Sequence, residues 1–200
     1  ELIGGGVKGI ALTKLAYISD RTGAKELYVM DYDGNDSHVL TNQKGIVLTP
    51  AWSPDGEKIA YTSFRLGGAN IEIVSRIDGK LYNFVRQGGT TTPVWSPDGS
   101  RIAYATSRDG SDTEIYVADW NGRNAKRLTV AKSVDISPFW NPRTGREIAF
   151  VSDRSGTAQI YIMDAEGTNV QRIIMDGGTA VNPAWSPDGQ RIAFAWQKSR

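Results

Sequence analysis

Short runs of β-branched and aromatic residues alternate with turn residues along most of the chain. Residues 101–106 are a representative run, and similar runs start at Lys58, Glu147 and Arg191. Gly, Asp, Asn and Pro separate the runs, and no segment keeps the apolar spacing of an amphipathic helix. This pattern predicts an all-β protein in which short antiparallel strands are joined by tight turns.

The runs belong to a repeat that is marked by the motif Pro-x-Trp-Ser-Pro-Asp-Gly. The motif occupies residues 50–56, 93–99 and 183–189, and a degenerate copy occupies residues 138–145. Successive motif tryptophans are 43, 45 and 45 residues apart: Trp52, Trp95, Trp140 and Trp185. A period of about 40–45 residues with four strands per unit is typical of a β-propeller, in which each unit forms one blade.

Four extended runs, here named A to D in chain order, make up each repeat. Run A contains the motif Trp, runs B and C are apolar, and run D is more polar. The chain enters the repeat at run B, at Lys14, and leaves it after run B, at Trp196. We therefore predict four-stranded antiparallel blades over residues 14–200, about four and a half of an expected six, in an incomplete ring. Residues 1–13, which include three consecutive glycines, are expected to form a linker or the tail of a preceding domain.

Backbone conformation explains the residues of the Ser-Pro-Asp-Gly turn between runs A and B. Pro favours the second position of a type I turn, and Gly supplies the left-handed backbone that closes the hairpin. Because the turn recurs, Asp55, Asp98 and Asp188 have equivalent surroundings, so we expect them to be turn residues and not catalytic carboxylates. The motif Trp and the run B aromatic residues are expected to pack between neighbouring blades.

Composition excludes several classes of function but does not identify one. The chain has 40% hydrophobic and 22% charged residues and a net charge of +1, which gives no reason to expect binding to nucleic acid. No apolar run is long enough for membrane insertion. The absence of Cys excludes disulfides and thiolate chemistry, and the single histidine, His38, excludes a His-pair zinc site. We therefore expect no catalytic residue, metal or cofactor.

The repeat resembles that of the TolB-type propeller family over residues 14–196. The resemblance rests on Ile-Ala-Tyr or Ile-Ala-Phe in run B and on Ile-Tyr, with Met-Asp in one copy, in run C. Residues 6–19 are similar to the family segment that joins an α/β domain to the first blade. The resemblance implies a periplasmic, non-catalytic protein of the cell-envelope Tol–Pal system. Its implied partners are the peptidoglycan-associated lipoprotein and other Tol proteins.

Two alternatives stay open, because related repeats occur in other propellers. One is the propeller of a larger dipeptidyl-peptidase-like serine peptidase, whose catalytic domain would lie outside this chain. The other is a carbohydrate-binding or lyase propeller, which would need channel histidines that the chain lacks.

The segments between run D and the next run A do not repeat, and they are the candidate binding site. They comprise residues 43–49, 87–92, 130–137 and 176–182, and we expect them to meet at one mouth of the central channel. Plain connecting loops are the alternative interpretation. The resemblance places partner contacts at Gly89, Thr92 and Ile136, where the family has His at the first position and Thr at the last. The full candidate set is Gly89, Thr90, Thr91, Thr92, Asp135, Ile136, Ser137 and Asn182.

Two further expectations concern partners. Asp135 is the acidic residue of the candidate set, and it could face a basic partner or a metal. An incomplete ring leaves its first and last blades without a neighbour on one side. We therefore expect that the protein can self-associate through these open blades.

Overall fold

The computed structural model describes residues 13–84, 89–110, 112–173 and 177–198, so the predicted linker lies almost wholly outside the described residues. The described residues form five antiparallel sheets, which we call blades 1 to 5 in chain order. Blade 1 contains β1 (Lys14–Ser19), β2 (Glu26–Asp31) and β3 (His38–Val39). Blade 2 contains β4 (Val47–Trp52), β5 (Lys58–Ser63), β6 (Asn70–Ser75) and β7 (Leu81–Asn83). Blade 3 contains β8 (Thr90–Trp95), β9 (Arg101–Thr106), β10 (Glu114–Asp119) and β11 (Lys126–Arg127). Blade 4 contains β12 (Asp135–Trp140), β13 (Glu147–Ser152), β14 (Gln159–Asp164) and β15 (Gln171–Arg172), and blade 5 contains β16 (Gly178–Trp185) and β17 (Ile192–Lys198).

The strands of each blade follow one another in chain order, which confirms the predicted runs A to D. Blades 2, 3 and 4 have four strands, blade 1 has strands B to D, and blade 5 has strands A and B. The A strands β4, β8, β12 and β16 contact one another, while the D strands pack against strand C of their own blade. Strand A is therefore the inner strand and strand D the outer one, and the fold is a partial β-propeller with four-stranded blades.

Strand A begins further upstream than the motif predicts. In blade 3, β8 starts at Thr90, three residues before Pro93, and it crosses the proline through a register shift between Thr91 and Val94. Blades 2, 4 and 5 have the same shift. Proline has no N–H to donate to a strand ladder, and a β-bulge removes the need for one. The loop prediction is therefore wrong for residues 47–49, 90–92, 135–137 and 178–182, which all lie in inner strands. Residues 87, 88 and 176 of the predicted loops lie outside the described residues.

The residue before each bulge proline has a left-handed backbone. The angle φ is 48° at Thr49, 50° at Thr92, 53° at Ser137 and 55° at Asn182. A β-branched residue with positive φ is uncommon, because its side chain crowds the backbone there. Since the conformation recurs in four blades, it belongs to the architecture of the inner strand and is not a peculiarity of one site.

The apolar core lies between the blades, as the sequence predicts. Between blades 3 and 4, Trp140 packs with Ala103 and Val117. Between blades 2 and 3, Trp95 is 6% exposed, and its indole N–H donates a 3.2 Å hydrogen bond to the carbonyl of Ala51. The motif tryptophan of one blade thus anchors that blade to the preceding one, which is why a single blade lacks a core of its own.

The A–B turns have the predicted conformation. In blade 3, Gly99 has a φ of 71°, and its N–H donates to the carbonyl of Ser96 at 2.9 Å. The carboxylate of Asp98 accepts hydrogen bonds from the Ser96 hydroxyl at 2.5 Å and from the N–H of Ser100 at 3.0 Å. The same contacts recur at Asp55 and Asp188. The repeated aspartates are therefore turn residues, and that prediction is confirmed.

Two apolar side chains on β17 are partly open to solvent. Phe194 is 39% exposed and Trp196 is 43% exposed. Self-association through blade ends of this kind stays a prediction. Within the residues that the structure describes, no helix is long and apolar enough to cross a membrane.

Candidate protein-binding face

The strand directions divide the connections of the propeller between two faces. Because successive strands are antiparallel, the B–C and D–A connections lie at one end of a blade, and the A–B and C–D turns lie at the other. We call these ends the loop face and the turn face. A backbone hydrogen bond at the loop face joins each blade to the next: the N–H groups of Val47, Thr90, Asp135 and Ala180 donate to the carbonyls of Lys25, Ala69, Thr113 and Ala158, respectively.

The candidate residues lie on the loop face, at the starts of the inner strands. Thr90 and Asp135 are fully buried. The remaining members are more open: Gly89, Thr91, Thr92, Ile136 and Ser137 are half-buried, and Asn182 is exposed. Since β8, β12 and β16 contact one another, the structure brings these residues together along the inner edge of the ring. Their role in binding a partner stays a prediction.

Asp135 has a partner inside its own blade, which differs from the external partner that its position suggests. Its carboxylate accepts hydrogen bonds from the Arg154 guanidinium at 2.7 Å and from the Ser133 hydroxyl at 2.9 Å. The Asp135 side chain is 0% exposed and that of Arg154 is 24% exposed. A buried charge is tolerated when it is paired and hydrogen-bonded in this way. Asp135 therefore fixes the start of β12, and the described residues contain no cluster of three His, Cys, Asp or Glu side chains that could hold a metal.

An arginine occupies the same place in every B–C loop, a repeat that the sequence prediction omits. It follows strand B by two residues in blades 1 to 4: Arg21, Arg65, Arg108 and Arg154. In three blades its guanidinium lies over the tyrosine of strand C, at 4.0 Å for Tyr28, 4.5 Å for Tyr116 and 5.0 Å for Tyr161. Cation–π contacts of this kind hold the loop against the blade. The signal in the sequence is the spacing Ser/Thr-x-Arg at the end of run B.

Blade 2 replaces that tyrosine with Glu72, and a polar network results. The Glu72 carboxylate accepts hydrogen bonds from Arg65 at 2.6 Å, from the Tyr61 hydroxyl at 3.1 Å and from the Gln43 amide. Burial opposes ionisation of Glu72, but Arg65 and the other donors outweigh it, so the pKa of this carboxyl is lowered. Burial and the Glu72 charge raise the pKa of Tyr61. Because Gln43 belongs to a D–A loop, the network fixes that loop on blade 2.

Glutamates at the start of strand C hold two D–A loops of the loop face, one of which is the loop that contains Gln43. Glu114 accepts hydrogen bonds from the Thr129 hydroxyl at 2.6 Å and from the N–H of Ala131 at 3.0 Å. Glu26 makes the equivalent contacts with Thr41 and with the N–H groups of Gln43 and Lys44. These carboxylates order the D–A loops before any partner arrives, so less conformational entropy is lost on binding.

The loop face is more positive than the turn face. Its described connections carry seven basic side chains (Arg21, Lys25, Lys44, Arg65, Arg108, Lys132 and Arg154) and four acidic ones (Asp20, Asp109, Asp112 and Asp153). The described connections of the turn face carry six basic side chains (Arg76, Lys80, Arg123, Arg143, Arg146 and Arg191) and eight acidic ones (Asp33, Asp36, Asp55, Glu57, Asp78, Asp98, Glu166 and Asp188). The carboxylates of Glu26, Glu72, Glu114 and Asp135 also lie at this face, but they are buried and accept hydrogen bonds within the protein. The exposed lysines Lys25, Lys44 and Lys132 are the charges that favour an acidic surface at the loop face.

Repeated four-stranded blades, an interblade core and D–A segments that differ from blade to blade define a β-propeller repeat domain. The family model described as the TolB beta propeller domain matches residues 3–200, and the chain belongs to this family. It is 38% identical over 132 residues to a protein named TolB homolog from Chlorobium chlorochromatii (strain CaD3), which covers 66% of the chain and 30% of that relative. It is also 38% identical over 124 residues to the Tol-Pal system protein TolB of Desulfosudis oleivorans, which covers 62% of the chain and 28% of that relative.

Solved structures show the same fold. The crystal structure of TolB from Acinetobacter baumannii aligns with a TM-score of 0.82 and 29% identity over 96% of this chain and 49% of its own chain. An oligogalacturonate lyase from Vibrio parahaemolyticus aligns with a TM-score of 0.71 at 16% identity, a likeness that shows the fold alone. The chain thus spans about a third of the length of the curated relatives, at 28% and 30%, and half of the Acinetobacter structure.

Proposed function

We propose that this chain is the protein-binding propeller of a periplasmic protein of the Tol–Pal system, and that its loop face binds the peptidoglycan-associated lipoprotein at the mouth of the channel. The proposal rests on the family and on the name of the Desulfosudis relative. The observation that carries it is the preorganised loop face, with exposed lysines on its connections, around the candidate residues of the inner strands. An acidic surface on the lipoprotein is the complement that this charge requires.

The proposed role is binding without catalysis. The repeated carboxylates that a catalytic reading would use are hydrogen-bond acceptors within turns, as shown for Asp98. His38 lies exposed on the outer strand β3, where its Nδ1 is 2.9 Å from the carbonyl oxygen of Asp36. These positions give both residue types a local structural role in the described residues. The family and the name of the Desulfosudis relative are the reasons to favour a binding protein over the peptidase and lyase alternatives.

The test is a binding titration between the full-length protein and the soluble domain of the lipoprotein. Reversing two exposed loop-face charges, with Lys44→Glu and Lys132→Glu, should weaken binding about tenfold or more, because each reversal replaces attraction by repulsion. Raising the salt from about 50 mM to about 300 mM should weaken binding of the unmodified protein, since the Debye length shortens.

A turn-face reversal, Arg123→Glu, is the matched control and should leave the affinity unchanged. Binding that responds equally to reversals on the two faces would contradict the assignment of the loop face. No association of the unmodified protein with the lipoprotein would refute the proposed function itself.

A further inference from the structure

A groove on the turn face, between blades 2 and 3, contains two tryptophans. Its cavity has a volume of about 230 Å³ and is lined by residues of the two A–B turns, by Lys58 and by Trp95 and Trp120. Trp95 is the nearly buried motif residue, whereas Trp120 follows strand C and is only half-buried. The groove lies on the face opposite the candidate protein-binding site, so it belongs to neither the loop face nor the proposed function.

Trp120 lies at a position whose residue differs in every blade that has it. The equivalent position, directly after the last residue of strand C, holds Tyr32 in blade 1, Arg76 in blade 2 and Ala165 in blade 4. The core explains the motif tryptophans, because they anchor one blade to the next. Trp120 has no such repeated duty, and a large half-buried indole beside an open cavity is a common feature of ligand sites.

The neighbouring groove, between blades 3 and 4, shows what the fold does without this indole. Ala165 takes the place of Trp120, and the cavity beside it, of about 100 Å³, lies against strands C and D of blade 3 and not over the two A–B turns. Arg101 lies over the Trp140 ring at 5.1 Å, and Glu166 pairs with Arg101 at 3.6 Å and with Lys126 at 3.2 Å. The ring of that groove is therefore the motif tryptophan itself, and no second indole lies beside it in the part of the chain that the structure describes.

The groove between blades 2 and 3 keeps its polar groups at its rim. The Lys58 ammonium is 5.6 Å from the centre of the Trp120 ring, and its nearest carboxylate oxygens, on Asp55 and Glu57, are both 3.9 Å away. Asp98 lies on the other side of the cavity. The pocket therefore offers an apolar indole face, an ammonium donor and carboxylate acceptors around one small volume.

A second aromatic platform continues outward from this pocket. Tyr82 on β7 lies edge-on to Trp120, with ring centres 5.8 Å apart, and the Lys80 ammonium is 5.3 Å from the Tyr82 ring. The arrangement of a ring beside an amine thus occurs twice in succession along the groove. A ligand made of repeating ring-sized units would meet the same chemistry at each step.

We propose that this groove binds an oligosaccharide, with one sugar ring on Trp120 and the next toward Tyr82. A pyranose has an apolar face of C–H groups that stacks on an indole, and its edge of hydroxyls donates to carboxylates and accepts from ammonium groups. The Asp55 and Asp98 carboxylates and Lys58 supply these partners at the rim. A sugar ring uses the apolar face of the indole and the polar groups at the rim at once.

The experiment titrates the full-length protein with chitotriose and with trigalacturonate, and follows tryptophan fluorescence and the heat of binding. We expect saturable binding of at least one trisaccharide below about 10 mM. Trp120→Ala, which recreates the Ala165 environment, should weaken binding at least tenfold. Tyr32→Ala changes the equivalent, exposed position of blade 1, away from the groove, and should leave binding unchanged. Lys58→Met is a second variant that leaves both indoles in place, and it should also weaken binding.

Three results would overturn the proposal. The first is the absence of a saturable signal with either trisaccharide. The second is binding to Trp120→Ala and Lys58→Met that equals binding to the unmodified protein. The third is tighter binding of an oligoglutamate peptide than of both sugars, which would make the groove a peptide site. Binding of the lipoprotein to the loop face is measured separately, so a failure here leaves the proposed function intact.

Discussion

The turn face and the loop face of this propeller differ in how far their connections repeat in sequence. On the turn face, three A–B turns repeat Ser-Pro-Asp-Gly, and each Asp accepts the same hydrogen bonds. On the loop face, each D–A segment has its own sequence, although equivalent glutamates, Glu26 and Glu114, anchor two of them. Repetition here reflects a shared structural duty, and variation shows where the fold leaves residues free for recognition.

The comparison also shows that variation alone does not identify a binding residue. Asp135 is unique among the inner-strand starts, yet it is buried against Arg154. Trp120 also has no counterpart in the other blades, but unlike Asp135 it lies beside an open cavity, on the turn face. Exposure and existing partners therefore decide which of the non-repeated residues can meet a ligand.

The largest expected effect comes from the core that supports both faces. Trp95→Ala removes a nearly buried indole between blades 2 and 3, and we expect the free energy of unfolding to fall by about 3–5 kcal/mol. Trp52→Ala, at the equivalent but half-buried position, is the matched control and should cost clearly less. Urea unfolding followed by circular dichroism measures both. Equal losses for the two variants would show that burial does not set the contribution of the motif tryptophan.

A smaller effect is expected on the loop face. Arg154→Met leaves the buried Asp135 carboxylate without its cationic partner, which should destabilise the protein by about 3 kcal/mol. Arg21→Met changes the same position of blade 1, where the guanidinium bonds to the hydroxyls of Tyr17 and Ser37 and pairs with no carboxylate in the described residues. We expect a loss of about 1 kcal/mol or less there. If the two variants unfold at the same urea concentration, the Arg154–Asp135 ion pair contributes no more to stability than the hydrogen bonds of Arg21, and the prediction is wrong.

The smallest effect concerns the turn face in acid. The hydroxyl of Ser96 and the N–H of Ser100 lower the pKa of Asp98 below its ordinary value of 3.8. A carboxyl with a lowered folded-state pKa stabilises the fold above its unfolded pKa, and this contribution disappears as the pH falls through the lowered value. Asp98→Asn should therefore reduce stability at pH 7 and flatten the loss of stability below about pH 4. Thermal unfolding between pH 2 and pH 7 tests this, and an unchanged acid slope would contradict it.

The sequence predicts the order of the strands and the A–B turns because those features repeat. Trp95 and Gly99 have counterparts at a fixed spacing, and local turn chemistry accounts for the glycine. The bulge at Thr92 was not predicted, because the residue before Pro varies among Thr, Ser and Asn and has no common side-chain signal. The partner of Asp135 was not predicted either, because Arg154 is 19 residues away and reaches it only once β12 and β13 are paired.

The backbone hydrogen bond from each B–C loop to the next inner strand has an evolutionary consequence. The bond uses only main-chain atoms, so it places no demand on side chains, and it involves only adjacent blades. A blade that is duplicated in the gene therefore already carries the connection it needs to both neighbours. An array of this kind can gain or lose a unit without a new interface, because every complete blade supplies the same main-chain donor and acceptor.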